Sequence, residues 1–191
     1  MKKILVFLAL VLGTGFAGAQ GSFVYDQQST GTIDGSILSS QTPLGQSFTP
    51  SLDSIDFVDF YLSDGTIASM MQVNLRSGSI GGAILGTTST TTLTPNQAGY
   101  YDFLFSTPVS LTPGTQYYLE PVVVGGGGFR GFISFQQYTG GDAIFNGTTF
   151  TDRDFVFREG IISDVPEPSS CALFALAVAA LVWRCRRKPV I

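Results

Sequence analysis

The stretch Ile55-Asp56-Phe57-Val58-Asp59-Phe60-Tyr61-Leu62 decides the fold class. Val58, Phe60 and Leu62 fall on one face, which Asp56 joins near its edge. A repeat of two residues is that of a strand resting one side on a core. The same pattern recurs downstream. Tyr101, Phe103 and Phe105 share a face from which Asp102 points away; Tyr117, Leu119 and Val123 share another, with Glu120 opposite. Turn chemistry separates these runs at short intervals: Thr42-Pro43, Asp64-Gly65, Gly81-Gly82, Thr94-Pro95-Asn96, Pro113-Gly114, Gly125–Gly128, Gly140-Gly141 and Asn146-Gly147. Short alternating strands with no room between them for crossover helices predict an all-β, antiparallel β-sandwich or jelly roll.

Strands are expected near residues 22–25, 45–49, 55–62, 71–77, 83–88, 100–106, 116–124, 130–138, 143–146 and 154–158. The Thr/Ser-rich run Thr87–Thr94 suits an edge strand or a loop. The four glycines Gly125–Gly128 offer no side chain for packing and predict a flexible hairpin tip; no helix follows them, which excludes a phosphate-cradling loop. Asn146-Gly147 is first a hairpin turn, and the sequon it begins with Thr148 is incidental.

The two ends of the 191-residue chain differ from this middle. Lys2 and Lys3 precede an apolar run from Ile4 to Leu12, and small residues follow up to Ala17-Gly18-Ala19. A basic start, an apolar centre and a narrow-side-chain site in that order read as a signal peptide over 1–19, cleaved between Ala19 and Gln20 with Ala17 filling the second small pocket. Near the other end, Pro166-Glu167-Pro168 is followed by an apolar run from Cys171 to Trp183 and then by Arg184, Arg186, Arg187 and Lys188. Thirteen helical residues reach about 20 Å against a hydrocarbon layer of roughly 30 Å. The run is apolar around its whole circumference, however, and its neighbours can extend it. Ser169 and Ser170 lengthen it, the basic side chains can snorkel, and Trp183 sits at interface depth. Residues 169–183 are therefore expected to form a transmembrane helix, with 184–191 as a basic cytoplasmic end. Positive charge at both termini places both on the cytoplasmic side and the middle, residues 20–164, across the membrane.

The tripartite arrangement of Pro166-Glu167-Pro168, greasy segment and arginine-rich end resembles the PEP-CTERM sorting signal of bacterial surface proteins. The resemblance covers about Val165 to Ile191 and implies handling by exosortase, a membrane protease or transpeptidase acting near the Pro-Glu-Pro motif. It implies roles for Pro166, Glu167 and Pro168 in recognition and for Arg184, Arg186, Arg187 and Lys188 in membrane retention. The two prolines also hold this backbone extended, which leaves a peptide that a protease can bind as a strand. In the middle, Gly45–Thr49, Val109–Tyr118, Tyr138–Gly147 and Asp154–Arg158 have a cadence similar to that of extracellular β-sandwich modules, some of which bind carbohydrate.

Composition narrows the chemistry. The chain has no histidine, and its two cysteines, Cys171 and Cys185, lie in the tail. The middle therefore has no disulfide, thiol nucleophile, imidazole base or His-dependent triad. Between Asp26 and Asp164 four arginines (Arg76, Arg130, Arg153, Arg158) stand against thirteen acids, a net −9 that repels phosphate backbones, so no nucleic-acid partner is expected. Asp56, Asp59, Asp102, Glu120, Asp142, Asp152 and Asp154 make no recognisable glycosidase pair. Asp152 and Asp154 offer the hard oxygens a structural calcium takes, but they lack EF-hand spacing, and Arg153 and Arg158 stand ready to neutralise them; no cofactor or metal is expected. Among the aromatics, alternation puts Phe132 and Tyr138 on one face and Phe129 and Phe135 on the other. One pair belongs to the core, and Phe132 with Tyr138, beside Gln137, is the candidate ligand-facing pair.

The expected protein is thus exported and non-enzymatic. Its partners would be signal peptidase, an exosortase-like protease and the membrane, and its destination the cell surface or extracellular matrix. The alternative is a carbohydrate-binding module for extracellular polysaccharide.

Overall fold

The computed structural model describes residues 21–135 and 138–163. The expected signal-peptide and transmembrane helices lie outside these residues. Fourteen strands follow one another: β1 Ser22–Ser29, β2 Gly35–Leu38, β3 Gly45–Phe48, β4 Ser54–Asp64, β5 Met70–Ser77, β6 Ile84–Thr87, β7 Thr91–Thr92, β8 Ala98–Ser110, β9 Tyr117–Gly125, β10 Phe129–Phe135, β11 Ala143–Phe145, β12 Thr148–Phe150, β13 Arg153–Phe155 and β14 Phe157–Ser163. There is no helix among the described residues.

The strands form two antiparallel sheets. The first runs β1-β14-β4-β10-β13, with β2 added on β10 and β8 on β4; the second runs β12-β11-β3-β9-β5-β6, with β7 on β5. Val58, Phe60 and Leu62 of β4 meet Phe48 of β3, Val73 and Leu75 of β5 and Leu119 of β9 in one buried cluster that joins both sheets. The arrangement is sandwich-like, and Phe23–Ile162 form one compact unit. Phe60 stands near the centre, with ring centroids 5.6 Å from Phe155, 6.4 Å from Phe157 and 6.5 Å from Phe103. Each such side chain contributes about 1.5–3 kcal/mol by leaving water.

A polar clasp also ties the sheets. Gln46 on β3 donates to Asp154 on β13 (3.0 Å) and accepts from the Phe155 amide (2.8 Å), while the Tyr138 amide donates to the other Asp154 oxygen (3.0 Å).

The alternating faces of β4, β8 and β9 are as the sequence predicts, with three local departures. A bulge between Ile55 and Phe57 gives Ile55 the core position, and Asp56 instead accepts from the Ile162 amide at 2.8 Å. The Gly125–Gly128 run is no free hairpin tip. It links β9 in the second sheet to β10 in the first, and a Cβ on Gly126 (φ +88°) would lie 2.0 Å from the Ala68 carbonyl oxygen. Ser69 Oγ then holds Gly128 through both its carbonyl (2.6 Å) and its amide (2.8 Å). Finally, the expected strand over 154–158 changes partner at Val156: β13 pairs with β10 and β14 with β4.

Candidate functional site

Strand alternation turns Phe57, Asp59 and Tyr61 of β4 away from the core. On one side β8 places Asp102 directly opposite Asp59, and on the other β14 places Arg158 there. Three neighbouring strands thus line up a carboxylate, a carboxyl and a guanidinium on the outer face of the first sheet. Arg158 Nη2 lies 2.9 Å from Asp59 Oδ2, and Asp59 is almost wholly buried. Burial pushes the Asp59 carboxyl up to about 7, and the hydrogen bond and charge of Asp102 push the same way against the pull of Arg158. The Asp59 carboxyl can therefore hold a proton near neutrality.

Aromatic rings surround the charges. The Arg158 guanidinium lies 3.7 Å from the Tyr100 ring centroid and 4.7 Å from that of Tyr25. Tyr61 meets Tyr100 edge-on at 5.2 Å and Phe132 at 5.3 Å. Phe23 and Tyr25 of β1 cover Phe57 at 4.5 and 5.6 Å, which explains how an outward-facing phenylalanine is fully buried. Phe23 and Tyr25 themselves remain 41% exposed, and Tyr61, Tyr100 and Phe132 are half-buried. The face is an aromatic band with a carboxyl pair and an arginine at its middle.

Phe132 belongs to this band, and Tyr138 does not. β10 ends at Phe135, so alternation does not carry to 138. Tyr138 packs against the core with its ring 5.4 Å from Phe157, and its hydroxyl accepts from the Thr49 amide at 3.0 Å. Burial drives that hydroxyl up to about 12. It lines an open polar depression with Thr49, Gln116, Gly140, Asp142 and Thr151. The other two aromatics also part: Phe129 is buried, whereas Phe135 is 42% exposed with the Arg153 guanidinium 5.2 Å from its ring centroid.

The acids considered for calcium do not converge. Asp154 faces inward in the Gln46 clasp, and Asp152 lies on the surface 3.4 Å from Arg153. Among the described residues no group of three or more His, Cys, Asp or Glu side chains is placed to hold a metal ion. Asp59, Asp102 and Arg158 were all visible in sequence as polar residues at alternate positions of apolar strands. What the sequence could not supply was the strand order that sets them side by side.

The sorting and cleavage positions Ala17, Ala19, Gln20, Pro166, Glu167, Pro168, Arg184, Arg186, Arg187 and Lys188 lie outside the described residues. Comparison with known families addresses the tail: residues 164–188 match the family described as the PEP-CTERM protein-sorting motif. No curated protein matches the chain. The chain therefore carries a PEP-CTERM motif, which implies export, anchoring in the membrane and processing there by exosortase.

Proposed function

We propose that this chain is a non-enzymatic surface or extracellular-matrix protein, delivered through its tail and presenting a β-sandwich body. The match over residues 164–188 carries the sorting half of this proposal. On this reading signal peptidase cuts after Ala19, residues 169–183 span the membrane, and Arg184, Arg186, Arg187 and Lys188 stop the tail from passing through it. The non-enzymatic half draws support from the absence of histidine in the chain and of cysteine from the body. The test replaces the four basic residues with Ser, or Pro166-Glu167-Pro168 with Ala, and compares fractionation and intact mass with the wild type. Either variant should leave the unprocessed precursor as the main species; identical fractionation and mass in all three would overturn the assignment.

A second reading, a polysaccharide-binding module, is favoured by the exposed aromatic band on the first sheet. Sugar rings offer apolar C–H faces and hydroxyl rims, and sites of this kind combine ring surfaces with a few fixed polar groups.

A further inference from the structure

Resting on that second reading, we propose that the outer face of the first sheet binds a neutral glycan chain. Tyr25, Tyr61, Tyr100 and Phe132 would supply the stacking surface, and Asp102 would accept from sugar hydroxyls. Four observations lead there. First, these rings lie on the side of β4 opposite the core, with Tyr25 41% exposed and Tyr61, Tyr100 and Phe132 half-buried. Second, the surface is already ordered. Tyr61 is wedged edge-on against both Tyr100 and Phe132, and Arg158 is fixed between Tyr25 and Tyr100. Rings held this way lose little freedom on binding, which is the largest recoverable cost in recognition.

Third, Tyr100, Tyr61, Arg158 and Tyr25 cross β8, β4, β14 and β1 in succession, with Phe132 of β10 beside Tyr61. Three inter-strand spacings make about 14 Å, long enough to seat several pyranose rings in a row. Fourth, the charge selects against acidic polymers. Asp59 holds Arg158 at 2.9 Å, Arg130 at the margin reaches Ser36 Oγ at 3.4 Å, and Asp102 is exposed opposite Asp59. The body as a whole carries a net negative charge, with four arginines against thirteen acids. A chain of uronic acids or sulfated sugars would meet repulsion there, whereas a neutral sugar meets rings and a hydrogen-bond acceptor.

The test uses the full chain in detergent and measures retardation in native gels containing dextran, galactomannan or hydroxyethylcellulose, with alginate as the polyanion. The variant Tyr25→Leu/Phe132→Leu keeps apolar bulk over Phe57 and beside Tyr61 while removing two ring faces, and Gln116→Ala alters the polar depression beside Tyr138. Circular dichroism melts establish that each variant folds. The wild type should be retarded by at least one neutral polymer and not by alginate. The double variant should bind that polymer at least tenfold more weakly, and Gln116→Ala should match the wild type. Loss in Gln116→Ala with full binding in the double variant would overturn this site and leave the polysaccharide reading standing. A wild type retarded by no neutral polymer, or by alginate alone, would overturn both.

Discussion

Glu159 lies fully buried on β14, with neither carboxyl oxygen in an aligned hydrogen bond. Burial pushes it up to about 9; the charge of Asp26 adds to the rise, and the nearby Gln27 amide opposes it. The sign of the pH effect follows directly. In the unfolded chain this carboxyl releases its proton near the ordinary glutamate value, whereas in the folded chain it keeps the proton until about pH 9. Folding therefore demands a proton that the unfolded chain has shed, and stability falls through this window as pH rises. Glu159→Gln keeps the shape and removes the demand. Between pH 4 and pH 8 the variant should gain several kcal/mol on the wild type, since each pH unit between the unfolded and folded values is worth about 1.4 kcal/mol. Urea denaturation followed by circular dichroism at both pH values checks this, and a gap independent of pH would rule out proton uptake by Glu159 as its origin. The clasp residues behave oppositely. Asp154→Ala would take one of two acceptors from the Gln46 side-chain amide, which keeps its bond to the Ser47 carbonyl, and would remove the acceptor of the Tyr138 amide. That substitution should cost roughly 1–3 kcal/mol in the same assay, since one donor loses its acceptor and a second loses one of two.

At the scale of elements, the Gly125–Gly128 crossing offers the sharpest contrast. Gly126 combines a φ of +88° with a Cβ position 2.0 Å from the Ala68 oxygen, while a Cβ at Gly65 would meet nothing within 4 Å. Gly126→Ala should therefore lower stability by at least about 1–3 kcal/mol, as strained backbone does, and Gly65→Ala should stay within about 0.5 kcal/mol of the wild type. Equal denaturation midpoints for the two variants would mean that the crossing tolerates a side chain. This is also where the sequence was least legible. A run of glycines announces that side chains are missing but not whether backbone, solvent or a second sheet takes their place. Where side chains alternate, as in β4, β8 and β9, burial dictates the face, and the pattern can be read directly. The short β2, whose Gly35, Ser36 and Leu38 give no alternation, and the last residues of β8, which include Pro108, carry no such pattern. They become strands because β10 and β4 offer them hydrogen-bond partners. The Asp102–Asp59–Arg158 row was illegible for the same reason, because it exists only through the pairing of three strands distant in sequence. Alternation alone put Phe132 and Tyr138 on one face without showing which aromatic pair is core; the two part in the structure because β10 stops at Phe135.

For the whole molecule, the proposed orientation rests on charge distribution. The acidic body, with its four arginines, lies between two lysines near the start and the Arg184–Lys188 cluster. Positive flanks are retained on the cytoplasmic side, while a domain of this size is carried across. The two cysteines make this measurable, because both lie in the tail and none in the body. In a Cys171→Ser chain the remaining thiol, Cys185, sits within the basic cluster. In spheroplasts that accumulate the precursor, a membrane-impermeant maleimide should label Cys185 only after the membrane is permeabilised. Body epitopes between β1 and β14 should meanwhile be reached by added protease without permeabilisation. Replacing Arg184, Arg186, Arg187 and Lys188 with Ser should bring Cys185 within reach of the reagent from outside, because a short apolar run without its positive stop has little to hold it in place. Labelling of Cys185 in intact spheroplasts carrying the unaltered basic cluster would reverse the orientation. It would put the body, with its aromatic face, on the side of the membrane where no exported polysaccharide could reach it.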